Sequence, residues 1–207
     1  MRKRDSEQSK QDILEAAEFE FAEKGFYGTR IDEIAARAGI NKRMLYQYFG
    51  NKEDLYRTVF HSVYNRLTKI ELALLETDLQ GEEAIRTVIR IYFEYLRDNP
   101  TYVNLLLWEN LNKAYYVQDL DYLGEKSIVI EKMKKIIDKG KADGIFREEV
   151  DSEQVVFSLM TMPFTYFSNK YTLRKWFSRD MSSKEEMEKR ITSMTEMFLT
   201  YLCTGRK

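Results

Sequence analysis

Along most of the chain apolar residues return every three or four positions, and strict alternation is nearly absent. Ile13, Ala16, Ala17 and Phe21 form the first such stripe and predict a helix over about 10–24, with Gly25 placed to end it in a left-handed conformation. Thr29 suits the N-cap of a second helix, with Asp32 three residues on to return the bond, and Ile31, Ile34, Ala35 and Ala38 supply its buried side. Gly39 stops that helix. Asn41 then caps a short third helix ending near Phe49-Gly50, and Asn51, with Asp54 at the return position, caps a fourth that runs to about Leu75. Further helices are expected over 82–97, 101–112, 127–142, 152–177 and 183–202, with 115–122 unassigned. Pro163 should kink the helix that contains it, because it removes one ladder hydrogen bond. With two prolines and nine glycines in 207 residues, breakers are few, and the pattern predicts an all-α protein with no internal repeat.

Charge sharpens one part of this picture. The chain is about one-third charged and nearly balanced, with a formal net charge of −1. From Ile34 to Lys52, however, the charged residues are Arg37, Lys42, Arg43 and Lys52, with no acid among them. At roughly 100° per residue the third helix sets Leu45 beside Phe49 on a core side. Arg43 and Gln47 lie opposite, flanked by Met44 and Tyr46. Arg and Gln are residue types that read base edges, while Lys and Tyr supply phosphate contacts. Lys42 reaches a groove only because it lies on the first turn. Two helices joined at a glycine form the helix-turn-helix pattern, although an ordinary αα-corner shares it.

Other chemistry is sparse. His61 is the only histidine, and no paired-Cys, His-Glu-x-x-His, Gly-rich phosphate-loop or serine-elbow spacing accompanies it, so an enzyme, a metal and a cofactor are not expected. The single Cys203 suits a reducing cytosol and also reads as a small apolar residue near the last helix end. No apolar run is long enough to span a bilayer, and the basic start (Arg2, Lys3, Arg4) has no apolar segment behind it, so a cytoplasmic protein without a membrane partner is expected.

Residue order adds a resemblance. Thr29-Arg30-Ile31-Asp32-Glu33-Ile34-Ala35, Ala38-Gly39-Ile40-Asn41 and Leu45-Tyr46-Gln47-Tyr48-Phe49-Gly50-Asn51-Lys52-Glu53-Asp54-Leu55 are similar to the DNA-binding signature of the tetracycline-repressor (TetR) family, over about 13–55. The resemblance implies a three-helix helix-turn-helix DNA-binding domain over 1–55, joined by a long helix to a larger helical ligand-binding and dimerisation domain over 56–207. It implies a phosphate contact at Thr29, groove-facing positions at Lys42, Arg43, Met44, Tyr46 and Gln47, and backbone anchors at Tyr48 and Lys52. Many relatives carry a small residue where Arg43 or Met44 stands and a histidine where Tyr48 stands. The basic start reads first as a solvated terminus, with an arm along the DNA as the alternative.

The same resemblance implies a regulator, a repressor rather than an activator, that binds a palindromic operator as a homodimer and is released by a small hydrophobic or aromatic effector. Candidates for the effector pocket are Tyr92, Phe93, Tyr95, Trp108, Phe157, Met160, Phe164, Tyr166 and Phe167, with Glu109, Asn104 and Asn112 as polar anchors. A buried Glu109 would favour a cationic effector. The last helix carries Met187, Ile191, Met194 and Phe198 at four-three-four spacing. This stripe is expected at a dimer interface, though it would also serve an intramolecular core.

Overall fold

The computed structural model describes residues 6–118 and 122–205; the basic start at Arg2, Lys3 and Arg4 lies outside them. The chain forms α1 (Ser6–Gly28), α2 (Ile31–Ala38), α3 (Lys42–Phe49), α4 (Lys52–Leu75), α5 (Gly81–Asp98), α6 (Pro100–Leu111), α7 (Tyr122–Ala142), α8 (Ser152–Ser168), α9 (Lys170–Phe177) and α10 (Lys184–Leu202). Two compact units result, Met1–Arg66 with Thr101–Tyr122, and Leu67–Pro100 with Leu123–Lys207. Neither is contiguous in sequence.

In the first unit Ile13, Ala17, Phe21, Ile34, Leu45 and Leu55 are buried where α1 to α4 meet. α1 breaks at Gly25, whose φ of 67° and ψ of 179° leave the helical region. Trp108 of α6 explains the break. Its ring atoms stand 2.7 and 2.8 Å from where a Cβ on Gly25 would be, and its Nε1–H donates to the Ala22 carbonyl at 3.1 Å. Gly39, at φ 63° and ψ 36°, ends α2 in the left-handed conformation, and the Ile40 N–H bonds back to the Ala35 carbonyl at 3.0 Å. The third and fourth helices start as their caps predict. The Asn41 side chain accepts from the Arg43 N–H at 2.8 Å, and Asn51 accepts from the Asp54 N–H at 2.9 Å.

The second unit packs α5 against both α8 and α10, with Ile89, Phe93, Val156, Leu159, Met194 and Leu199 almost wholly buried. Glu71 of α4, Tyr92 of α5 and Lys126 of α7 form a buried polar cluster in this unit. The Lys126 ammonium donates to both Glu71 oxygens, at 2.5 and 2.7 Å, and the Tyr92 hydroxyl donates to the same carboxylate. The end of α10 is tied to the turn after α7. Arg147 N–H donates to the Leu202 carbonyl at 2.7 Å, Thr204 N–H donates to the Ile145 carbonyl at 3.1 Å, and Phe146 pairs with Cys203.

One expected helix is in fact two. The segment 152–177 passes through Pro163, stops at Ser168 and restarts at Lys170. Asn169 accounts for the break. Its φ of −106° and ψ of 10° are non-helical, and its side-chain amide joins its own backbone N–H on the Thr165 carbonyl, at 3.1 and 3.2 Å, which fixes the residue locally at the end of the helix.

Candidate nucleic-acid interface

α3 presents its outer face as the helical wheel requires. Leu45 is fully buried, whereas Arg43, Tyr46 and Gln47 are exposed and Met44 and Tyr48 half-buried. The four cations of the acid-free window differ in their surroundings. The Arg37 Nε–H donates to the buried Glu20 at 2.7 Å and its guanidinium lies over Phe19, 3.8 Å from the ring centroid. Lys42 pairs with Asp32 at 2.8 Å, an acid that lies outside the window in sequence but reaches it across the turn. That carboxylate raises the Lys42 ammonium above its ordinary range. Lys52, at the first position of α4, lies over the Phe26 ring at 4.7 Å, and burial lowers its pKa. Among the described residues, Arg43 has no carboxylate partner. A guanidinium and an amide stand one turn apart on the exposed face, with no acid beside them.

Asp32 therefore neutralises one cation at the start of α3. Asp32→Asn is expected to release Lys42 and to raise affinity for random-sequence duplex by roughly two- to five-fold, within the range for an exposed ion pair. Fluorescence anisotropy at low salt checks this, and unchanged affinity would show that the pair has no bearing on the surface.

Thr29 differs from expectation. α2 opens with Arg30 as its N-cap and no side-chain cap bond. Thr29 is instead 2% exposed, and its hydroxyl donates to the Gly25 carbonyl at 2.7 Å. A hydroxyl that closes the break in α1 is not available to cap α2, and a phosphate contact through it requires that bond to open.

The effector candidates do not form one cluster. Tyr92, Phe93, Tyr95, Tyr166 and Phe167 are buried in the second unit, where Phe93 contacts Tyr166 and Phe167 with centroids 5.5 and 5.9 Å apart. Met160 and Phe164 are half-buried on the same α8. Phe157 is 62% exposed and lines no interior. Trp108 and Glu109 belong to the first unit. The dimer stripe also needs correction. Met187, Ile191, Met194 and Phe198 are all buried within the chain's own core, so they offer no surface to a second copy. The outward apolar residues of α10 are Met197 and Tyr201. A periodic stripe marks the buried side of a helix without saying what buries it.

Glu109 is 3% exposed and sits among aromatic side chains. Tyr56 donates its hydroxyl to Oε1 at 2.7 Å, Oε2 has no partner, and Tyr56 in turn contacts Phe21, Phe26 and Tyr116 at 4.9, 5.4 and 5.5 Å. Burial raises the Glu109 pKa, partly opposed by the Tyr56 hydroxyl. An acid whose folded pKa is raised stabilises the fold below its unfolded pKa and loses that contribution as pH rises through the folded value. Stability is therefore expected to decline as pH rises from about 4.5, and Glu109→Gln should flatten that decline in urea melts across the range. A Glu109→Gln profile parallel to wild type would assign the decline to other groups.

Comparison with known proteins agrees with this geometry. Residues 13–59 match the family described as bacterial regulatory proteins, tetR family, and residues 82–198 match the tetracyclin repressor-like C-terminal domain. The chain is 29% identical over 203 residues to the HTH-type transcriptional repressor NicS of Pseudomonas putida, covering 96% of this chain and 94% of that one. It is 30% identical over 162 residues to the HTH-type transcriptional repressor SCO4008 of Streptomyces coelicolor, covering 78% and 80%. Among solved structures, the ketosteroid transcriptional regulator KstR2 of Mycobacterium tuberculosis has the same fold, with a TM-score of 0.73 at 17% identity over 99% of this chain and 97% of that one. With both parts of the chain matched, the protein is a member of the tetracycline-repressor family of DNA-binding transcriptional regulators.

Proposed function

We propose that the protein is a cytoplasmic repressor that binds a near-palindromic operator as a homodimer and leaves it when a small hydrophobic or aromatic effector binds. The observation that carries the DNA-binding role is the exposed Arg43–Gln47 face of α3, free of acids and flanked by Tyr46 and Met44. In this reading Lys42, Arg43, Met44, Tyr46 and Gln47 face the bases, and Tyr48 and Lys52 hold the backbone. Two copies related by a two-fold axis would set two recognition helices about one DNA turn apart. The sign of regulation is supported by relatives named as repressors. An effector is supported by the transcriptional regulator FadR of Bacillus subtilis, a structure of the same fold (TM-score 0.65, 16% identity) solved in complex with stearoyl-CoA. Such a molecule weakens DNA binding only by favouring the conformer that the operator does not fit.

Footprinting on the protein's own upstream region supplies the operator for the test. Lys52→Ala is expected to weaken binding to operator and random duplex alike and to lower the salt slope by about 0.9. Gln47→Ala is expected to cost about 1–3 kcal/mol on operator only. If both variants lose operator and random-duplex affinity in the same proportion, the assignment of base-reading and backbone-holding roles is wrong.

A further inference from the structure

A cavity of 520 Å³ lies between α8, α9 and α10, and of the aromatic residues that the sequence marks as effector candidates it is lined by Tyr166. Its apolar wall comes from Met162 and Tyr166 of α8, Leu173 and Phe177 of α9, and Met181 of the turn that follows. Tyr166 donates its hydroxyl to the Met181 carbonyl at 2.8 Å and so holds that turn against the wall. The mouth is cationic. Arg179, Lys189 and Arg190 line it, with Glu186 as the only acid. Glu186 pairs with Lys189 at 2.9 Å and Arg179 at 3.4 Å, which leaves Arg190 without a carboxylate partner among the described residues. The imbalance extends around the mouth, since residues 170–190 hold seven Lys and Arg against four Asp and Glu in a chain whose net charge is −1.

An apolar chamber of this size with an unneutralised guanidinium at its mouth matches one ligand chemistry: a hydrocarbon or aromatic body carrying one anionic head group. α9 is suited to close over such a body. None of its residues is buried, and Tyr171, Trp176 and Phe177 are 73%, 75% and 61% exposed, so little apolar contact holds it in place. From the floor of the cavity the Tyr166 ring reaches Phe93 of α5, 5.5 Å away, which links the cavity to the centre of its unit.

We propose that this cavity binds an amphipathic organic anion, with the head group at Arg190 and α9 folding over the apolar body. That the bound anion acts as the effector rests on the regulatory reading above; the binding does not.

The two tryptophans, Trp108 and Trp176, make the test direct. The full-length protein is titrated with sodium decanoate below its micelle concentration, with decyltrimethylammonium as a cation of equal chain length, and tryptophan emission is followed. Saturable blue-shifted emission with decanoate is expected, lost in Trp176→Phe. Arg190→Ala is expected to weaken decanoate binding about ten-fold with an unchanged circular dichroism spectrum. Equal binding of the anion and the cation, or wild-type affinity in Arg190→Ala, overturns the proposal. So does a Trp176 that is already blue-shifted without ligand and becomes exposed on dilution, because a second copy then covers this face. Operator binding is measured separately with and without decanoate. If decanoate binds and operator affinity does not change, the site stands and its role as effector site falls.

Discussion

Glu71→Ala is expected to destabilise the protein by about 3–5 kcal/mol, the range for removing one partner of a buried ion pair. Glu71 is 2% exposed and Lys126 7% exposed, so alanine removes the carboxylate that the buried Lys126 ammonium donates to. Even with Glu71 present, burial holds the Lys126 pKa below the ordinary lysine range, and the Glu71 carboxylate opposes that effect. Without Glu71 folding must release the lysine proton or bury the charge. A base with a lowered folded pKa destabilises most below that value, and the penalty shrinks as pH rises towards the unfolded one. The loss in urea melts should therefore be smaller at pH 9 than at pH 7. Replacing both partners, with Glu71→Leu and Lys126→Met, should recover most of the stability, because no charge is then buried. A loss below about 1 kcal/mol for Glu71→Ala would show that water reaches the cluster.

Gly25→Ala is expected to cost about 2–4 kcal/mol. Two causes act together. The new Cβ would fall 2.7–3.0 Å from three ring atoms of Trp108, and a φ of 67° with ψ of 179° belongs to a region used almost only by glycine. Pairing Gly25→Ala with Trp108→Leu separates them, since the smaller side chain relieves the clash and leaves the backbone cost of about 1–3 kcal/mol. Thermal melts of the single and double variants provide the measurement. Full recovery in the pair would mean that the backbone conformation carries no strain.

Local chemistry was readable from the sequence at the turns of the helix-turn-helix. The αL glycine at Gly39 and the caps at Asn41 and Asn51 act within one turn, and the starts of α3 and α4 follow from them. Features decided by distant partners were not. The pairing of Lys42 with Asp32 crosses the helix-turn-helix turn, and the cluster of Glu71, Tyr92 and Lys126 joins residues 21 and 55 positions apart. Nothing in the period of α10 distinguishes Met194 facing its own core from Met194 facing a second copy. The end of α8 was misplaced because the helical pattern runs on unbroken to Phe177, whereas Asn169 alone leaves the helical region between Ser168 and Lys170. Among the site residues, the open face of Arg43 and Gln47 was legible from charge and helical angle alone. The burial of Thr29 was not, because its hydroxyl turns back to the Gly25 carbonyl at the break in α1 and not forward to α2.

The tie between the end of α10 and the turn after α7 makes the single thiol a kinetic reporter. Cys203 is 3% exposed, and its backbone lies within the short set of bonds that joins Ile145 and Arg147 to Leu202 and Thr204. A thiol reagent reaches it only when that seam opens. Labelling rates measured across denaturant concentrations would thus separate local fraying of the C-terminal seam from global unfolding, since only the global process accelerates steeply with denaturant.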